Sequence, residues 1–277
     1  MKVIQSSLKT ALKFASAIVT KAPFPVLESV SLTLDGAALK IQTTNIDSYA
    51  TTWVPLVAAS ALDVCVNANA LAKALTVFKP DSILELGIET ADNDAGQVLA
   101  ISSATSKCTV AITGTSFEFP KVPVNCDQLS VKLDAASVDI IKRKLAPIAA
   151  AVVRDTVLSG INFQPIMRSD GVVEVYTACT DGTRLITGLF PSEQESVTAS
   201  FSVPASIVAL LPSKPVHIAL DAESTWAKLT TIDGIIETRL IVSAYPRVDV
   251  LIPKETEGYR VYDRQELTAA LKAIIKH

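Results

Sequence analysis

Four cysteines and two histidines limit the chemistry this chain can carry. Cys65, Cys108, Cys126 and Cys179 are far apart and form no CxxC pair, so neither zinc-ligand spacing nor a small secreted domain's disulfide framework is present. They are expected to pack as buried thiols, like small hydrophobes. His217 and His277 are the only histidines, which leaves no histidine-based metal site or catalytic dyad. The phosphate-cradling patterns GxGxxG and GxxxxGKS/T are missing, as are GxSxG and HExxH. Asp92-Asn93-Asp94-Ala95-Gly96 lacks the ligand spacing and closing Glu of a calcium loop. It lies between two alternating runs and reads as a hairpin turn. Asp181-Gly182-Thr183-Arg184 offers a carboxylate and a cation with no second acid or metal ligand nearby, and reads as a turn or binding loop. The sequence predicts no catalytic residue, no metal site and no cofactor.

The cations are the remaining chemistry. Net charge is −3 and the isoelectric point is near 5.5, which alone argues against nucleic-acid binding. Their distribution points the other way. Residues 1–27, 64–80, 140–154 and 196–220 hold eleven Lys and Arg and none of the 28 acids. Lys9, Lys13, Lys21, Lys73, Lys142, Arg143 and Arg154 lie in these stretches. If they share one face, that face suits phosphate contact without base reading, which is salt-dependent and blind to sequence. The plainer alternative is that the lysines only solvate helix faces. Aromatic residues make up 5% of the chain and do not interleave with the cations, which argues against a single-strand stacking platform.

The acid-free stretches overlap the helical patterns, and these recur. Apolar periodicity predicts helices near 7–20, 68–78, 136–150 and 204–212, and a further one opens near Arg264. The patterns starting near Ser7, Ala136 and Arg264 mark an internal repeat of about 128 residues. After each of the first two come alternating strands and an Asp-Gly hairpin signal, Asp35-Gly36 and Asp170-Gly171. Strands that bury one face call for antiparallel sheets carrying helices on one side, an α+β architecture. The predicted domains are 1–125 and 126–254, each a doubled unit of helix and strands, with 255–277 opening a third. Leu267, Leu271, Ile274 and Ile275 form an apolar stripe on the last helix. It implies either a chain cut inside a third domain or docking on a neighbour.

With 277 residues, 49% hydrophobic and 19% charged, and a mean hydropathy of +0.38, the chain is not a disordered one. Its longest apolar run, Leu145 to Val153, is too short to span a bilayer. These features predict a soluble cytoplasmic protein without membrane partners.

Four segments, Pro25-Val-Leu-Glu-Ser-Val, Val157-Leu-Ser-Gly-Ile-Asn-Phe, Ala178-Cys-Thr-Asp-Gly-Thr-Arg-Leu and Tyr245-Pro-Arg-Val-Asp-Val-Leu-Ile-Pro, resemble the bacterial DNA polymerase III beta subunit, the sliding clamp. The resemblance covers that family's first two domains and the start of the third. It implies tandem duplicated clamp domains that join edge to edge into a ring, with helices lining a hole around duplex DNA. Such a processivity factor is not an enzyme. It tethers the replicative polymerase topologically, and the seven cations above become candidates for the inner surface. Lys21 is foremost, because it precedes the Pro-Phe-Pro-Val-Leu stretch where the family presents a basic residue to DNA.

The resemblance also implies a pocket for short linear peptides of polymerase and clamp-loader subunits. Motif matching assigns Leu158, Thr180, Gly182, Arg184, Leu185, Pro246, Val250 and Leu251 to it. An apolar cleft with a few fixed polar groups suits such peptides, although the same residues could merely pack between sheets. Two departures stand out: Val250 occupies a position commonly basic in the family, and the third domain is absent beyond its first helix. The alternatives are a ring of three two-domain chains, or a clamp-like or truncated protein that binds clamp partners without encircling DNA.

Overall fold

The computed structural model describes all residues except 22–23, 92–95, 153–156, 194–198, 253–257, 259 and 276–277, with the backbone alone at 129 and 275. The chain forms two compact units, Met1–Tyr245 and Pro246–His277.

In the first unit the order is β1 (Lys2–Ile4), α1 (Gln5–Ala15), β2 (Ser29–Asp35), β3 (Ala38–Thr44), β4 (Ser48–Pro55), β5 (Asp63–Asn67), α2 (Ala68–Leu75), β6 (Ile83–Thr90), β7 (Gln97–Ser102) and β8 (Lys107–Gly114). The same order then repeats. It runs β9 (Gln128–Leu133), α3 (Ala135–Ile140), α4 (Ala146–Ala150), β10 (Gly160–Met167), β11 (Val173–Thr180), β12 (Leu185–Ser192), β13 (Phe201–Pro204), α5 (Ala205–Leu210), β14 (Val216–Leu220), β15 (Trp226–Thr231) and β16 (Gly234–Arg239).

The predicted helices are present, with shorter bounds. α1 buries Gln5, Leu8, Ala11, Leu12 and Ala15. It then tightens into a 3-10 turn over Ser16–Ile18, where Val19 N–H closes on the Ser16 carbonyl at 3.1 Å. The helix expected over 136–150 is interrupted: a π turn over Ile141–Leu145 separates α3 from α4. Pro147 has no N–H to return to the Arg143 carbonyl, so regular α-helical bonding cannot run through it. Asn67 and Asp134 cap α2 and α3, accepting from Ala70 N–H at 3.0 Å and Ser137 N–H at 2.8 Å. α5 is bracketed by Pro204 and Pro212.

All the strand pairs among the described residues are antiparallel. Twelve strands run β1-β6-β7-β8-β5-β2-β3-β4-β16-β15-β14-β9, and four more run β12-β11-β10-β13. The block β1-β6-β7-β8 thus recurs as β9-β14-β15-β16, and β5-β2-β3-β4 recurs as β13-β10-β11-β12. Gly36 (φ +58°) and Gly171 (φ +81°) take up the positive φ that the two Asp-Gly turns need. The Asp92–Ala95 turn lies outside the described residues, but Ala91 N–H bonds the Gly96 carbonyl at 2.8 Å across its base.

Each half has its own core. Leu8, Leu32, Leu39, Leu71, Leu84 and Leu99 sit in the first, and Val131, Ile141, Phe163, Val203, Ile218 and Leu229 in the second. A seam joins the halves where β4 meets β16, with Thr51 opposite Ile235, Ala50 opposite Ile236, Tyr49 opposite Glu237 and Ser48 opposite Thr238. Thr52 Oγ1 donates to the Asp233 carbonyl at 2.7 Å. The connecting segment covers the seam: Val122, Val124 and buried Cys126 pack with Tyr49 and Trp226, whose rings lie 5.9 Å apart.

The second unit holds a 3-10 turn over Val248–Leu251 and helix α6 (Arg264–Ile275). Asp263 caps α6 by accepting from Gln265 and Glu266 N–H at 2.8 and 3.0 Å. Leu267, Leu271 and Ile274 of the expected apolar stripe are 43%, 50% and 71% exposed. No helix among the described residues is long and apolar enough to cross a membrane.

Candidate functional site

The polar face of α1 is set by its period. Burying Leu8, Leu12 and Ala15 leaves Ser6, Lys9, Thr10 and Lys13 outward. Across the seam, the α3–α4 segment and the end of α5 bring Lys142 and Leu210–Pro212 to the same place. Together with Thr52–Pro55 of β4 and Ile232–Asp233 they enclose a groove of about 710 Å³. Lys13 of the first half and Lys142 of the second thus line one concavity. Its single acid, Asp233, is paired with Lys214 at 2.7 Å, so the two lysines dominate the groove's charge. That arrangement suits an anion such as a backbone phosphate.

The candidate cations differ in freedom. Lys9, Lys13 and Lys73 are exposed and make no ion pair among the described residues. Lys21 is exposed beside a smaller cavity of about 280 Å³ shared with Thr20, Glu28 and Asn69. Lys142 is half-buried and donates to the Leu211 carbonyl at 2.7 Å, where it compensates the negative end of α5. Arg143 is paired with Asp139 one turn back, and Ser213 Oγ donates to the same carboxylate at 3.0 Å. Those contacts hold the Asp139 carboxyl below its ordinary range. Arg154 lies outside the described residues. Sequence reasoning missed Ser6, Ser7 and Thr10 as groove residues, although the helical period already places them beside Lys13.

Four of the candidate peptide-binding residues surround the β11–β12 turn. Thr180 stands opposite Leu185 at its base, and Thr180 Oγ1 accepts from Gly182 N–H at 3.1 Å. Gly182 has φ +89°, a backbone state that side chains other than Gly resist. Asp181 organises the turn. Its carboxylate accepts from Thr183 N–H and Oγ1 at 3.0 and 2.9 Å and from Arg184 N–H at 2.7 Å. It also takes the Arg184 guanidinium in a two-pronged pair at 2.8 and 2.7 Å. These donors hold the Asp181 carboxyl far below the usual carboxylate range. Arg184 is therefore occupied within its own turn.

Leu158 is half-buried in the turn Val157–Ser159. Tyr245 was missed as a candidate. Its hydroxyl lies beside the Thr180 backbone without a hydrogen bond of good geometry, and burial pushes it up to about 12. In the second unit Pro246, Val250 and Leu251 are exposed, and Arg247 pairs with Asp249 at 3.1 Å.

Cys65, Cys126 and Cys179 are buried and Cys108 is half-buried. Burial raises the first three thiols to about 11 each, so they are poor nucleophiles.

No protein-family model matches the chain, and no curated protein sequence does. Solved structures do match. The DNA polymerase III subunit beta of Pseudomonas aeruginosa superposes with a TM-score of 0.80 at 19% identity, over 99% of this chain and 73% of that one. The sliding clamp of Bartonella birtlesii bound to griselimycin gives 0.81 at 18%, over 99% and 73%. The DNA polymerase sliding clamp of Caulobacter crescentus gives 0.78 at 17%, over 92% and 68%. This chain has the sliding-clamp fold. The tandem α+β repeat expected from the sequence is thus that of the bacterial beta clamps, with large antiparallel sheets and few helices. Within the sliding-clamp fold, the seam and the lysine-lined groove are features of the first unit alone.

Proposed function

We propose that this chain is a DNA sliding clamp, a non-catalytic processivity factor that encircles duplex DNA and tethers the replicative polymerase. The supporting observation is that Lys13 and Lys142, from two repeated halves joined edge to edge, line one groove on the helix-bearing side of the seam. Edge-to-edge joining is how repeated sheets extend an arc, and cations on its helical side supply weak, sequence-independent phosphate contact. In this reading residues 1–125 and 126–254 are clamp domains and 255–277 open a third. Lys9, Lys13 and Lys73, which make no ion pair among the described residues, face DNA together with Lys21, while Arg154 and the engaged Lys142 and Arg143 complete the basic surface. Leu158, Thr180, Gly182, Leu185, Pro246, Val250 and Leu251 receive short peptides from polymerase and clamp-loader subunits. Arg184 acts there by holding the turn. The protein works in the cytoplasm.

Retention on nicked circular plasmid, lost on linearisation, is the expected result of a loading assay. Griselimycin, bound by the Bartonella birtlesii clamp, is the probe for the peptide site, and saturable binding is expected. Equal retention on linear and circular DNA would overturn encirclement. The engagement of Lys142 by Leu211 and of Arg143 by Asp139 favours one second reading, a clamp-like protein that binds clamp partners without encircling DNA. Griselimycin binding without any DNA retention would select it.

A further inference from the structure

Side chains alternate across a strand, so every second residue of β3, β4 and β16 points away from the helix-bearing core. Lys40, Tyr49, Trp53, Ile235 and Glu237 share that outer face, with Lys40 opposite Trp53 and Tyr49 opposite Glu237. The segment after β8 crosses the same face. Asp63 pins it by accepting from Ser116 N–H and Oγ at 2.8 and 2.9 Å, and Phe119 anchors it as a buried ring. Between segment and sheet lies a groove of about 700 Å³, with Lys40 and Trp53 in one wall and Ile235 and Glu237 in another.

Two aromatic rings of this groove reach solvent: Trp53 is 40% exposed and Phe117 is 89% exposed. Both are held in place. Trp53 Nε1 donates to the Asp35 carboxylate at 2.8 Å. Phe117 tops a turn closed by Glu118 N–H on the Thr115 carbonyl and Phe119 N–H on the Ser116 carbonyl, each at 3.3 Å. Exposed rings that are already ordered lose little freedom when something binds. The groove's charges are unequal. Asp63 is spent on Ser116, and Glu237 stands opposite Lys228 across β15–β16. Lys40 and Lys121 make no ion pair among the described residues, so the groove keeps a positive balance. Exposed Asp35 and Glu118 lie next to the two rings, which disfavours a polyanion but tolerates an isolated carboxylate.

We propose that this groove docks a short peptide segment of a partner protein, one carrying an aromatic side chain flanked by carboxylates. The aromatic side chain packs against Trp53 and Phe117, and the carboxylates meet Lys40 and Lys121. An apolar contact with a few placed charges is the usual composition of a peptide site, and the rings supply most of the affinity. None of these residues belongs to the set around the β11–β12 turn. The groove is a separate site, and it does not depend on the clamp reading.

The chain has two tryptophans, so the full-length protein labelled with nitrogen-15 gives two indole NMR signals, exposed Trp53 and buried Trp226. Titration with the peptide acetyl-Ala-Glu-Phe-Glu-Ala-amide is expected to move the Trp53 signal saturably. The same peptide with Lys in place of Glu, or Ala in place of Phe, should bind more weakly. Phe117→Ala, at an exposed site that folding does not need, should weaken binding about threefold or more. Lys121→Gln should weaken it about two- to fivefold, as for an exposed ion pair. An unmoved Trp53 signal, equal binding of the Lys peptide, or indifference to both substitutions would overturn the site. Tighter binding of an oligothymidylate than of the acidic peptide would overturn it in favour of single-stranded nucleic acid. Griselimycin should leave Trp53 unmoved; competition between griselimycin and the peptide would show one shared site and overturn the separate groove. Loss of griselimycin binding alone would count against the clamp reading and leave the groove standing.

Discussion

Ser48 and Thr238, 190 residues apart, share a buried hydrogen bond of 2.9 Å between their hydroxyls. It sits at the end of the β4–β16 ladder, where Arg239 N–H also donates to the Asp47 carbonyl at 2.8 Å. The two halves meet through backbone pairing backed by a matched polar pair.

Removing one partner of that pair should cost more than removing both. Thr238→Val leaves the Ser48 hydroxyl buried without its partner, at a cost of about 1–3 kcal/mol, whereas Ser48→Ala with Thr238→Val should recover much of the loss. Urea denaturation of the two single variants and the double variant measures the coupling. Strict additivity would count against the bond.

Gly234 opens β16 with φ +150°, and a Cβ there would stand 2.5 Å from the Thr51 carbonyl oxygen and 2.7 Å from the Phe14 ring. Gly234→Ala should therefore destabilise the seam by about 1–3 kcal/mol through strain and overpacking. The check is the urea midpoint, read together with hydrogen exchange of the β4 amides. Gly87→Ala, with open space around it and no positive φ, should leave the exchange of those amides unchanged.

Lys13 and Lys142 line one groove but should respond differently to truncation. Lys142→Met deletes the charged donor to the Leu211 carbonyl and should lower stability by about 1.5 kcal/mol. Lys13→Ala should change stability by less than about 0.5 kcal/mol yet reduce the salt slope of DNA binding by about one. Thermal unfolding and a salt titration of DNA binding separate the two roles.

Asp181 predicts an acid-side loss of stability. Its folded pKa is depressed, so its stabilising contribution is complete above the ordinary carboxylate value of about 4. That contribution fades as pH falls through the depressed value. Wild type should exceed Asp181→Asn in thermal midpoint at pH 7, with the gap narrowing below about pH 4. A gap that is unchanged at pH 2.5 would show that the turn does not depend on the carboxylate.

Much of the fold was legible along the chain because its signals are local. The helical period exposes Lys9 and Lys13 and buries Leu8 and Leu12, and the Asp-Gly pairs mark hairpins whose glycines do adopt positive φ. The repeat was visible because both copies keep the same order of helices, turns and strands. The break at Ile141–Leu145 was also within reach, since Pro147 lacks the N–H that a continuous helix needs.

The seam was not legible. Nothing local in Ser48–Thr51 or Ile235–Thr238 says that these strands pair, because a ladder uses backbone groups that every residue carries. The choice among strand edges falls to packing across the whole unit. The same limit applies to the charges: sequence sorted the cations onto the helical segments, but only the tertiary structure decided which stay free. Lys142 meets Leu211 from 69 residues away, and a long-range contact of that kind leaves no periodic trace. The repeated helix-and-strand units and their cationic helices were therefore set by sequence. Which edges joined, and which lysines remained unpartnered among the described residues, were decided by the fold, because those outcomes depend on non-local geometry.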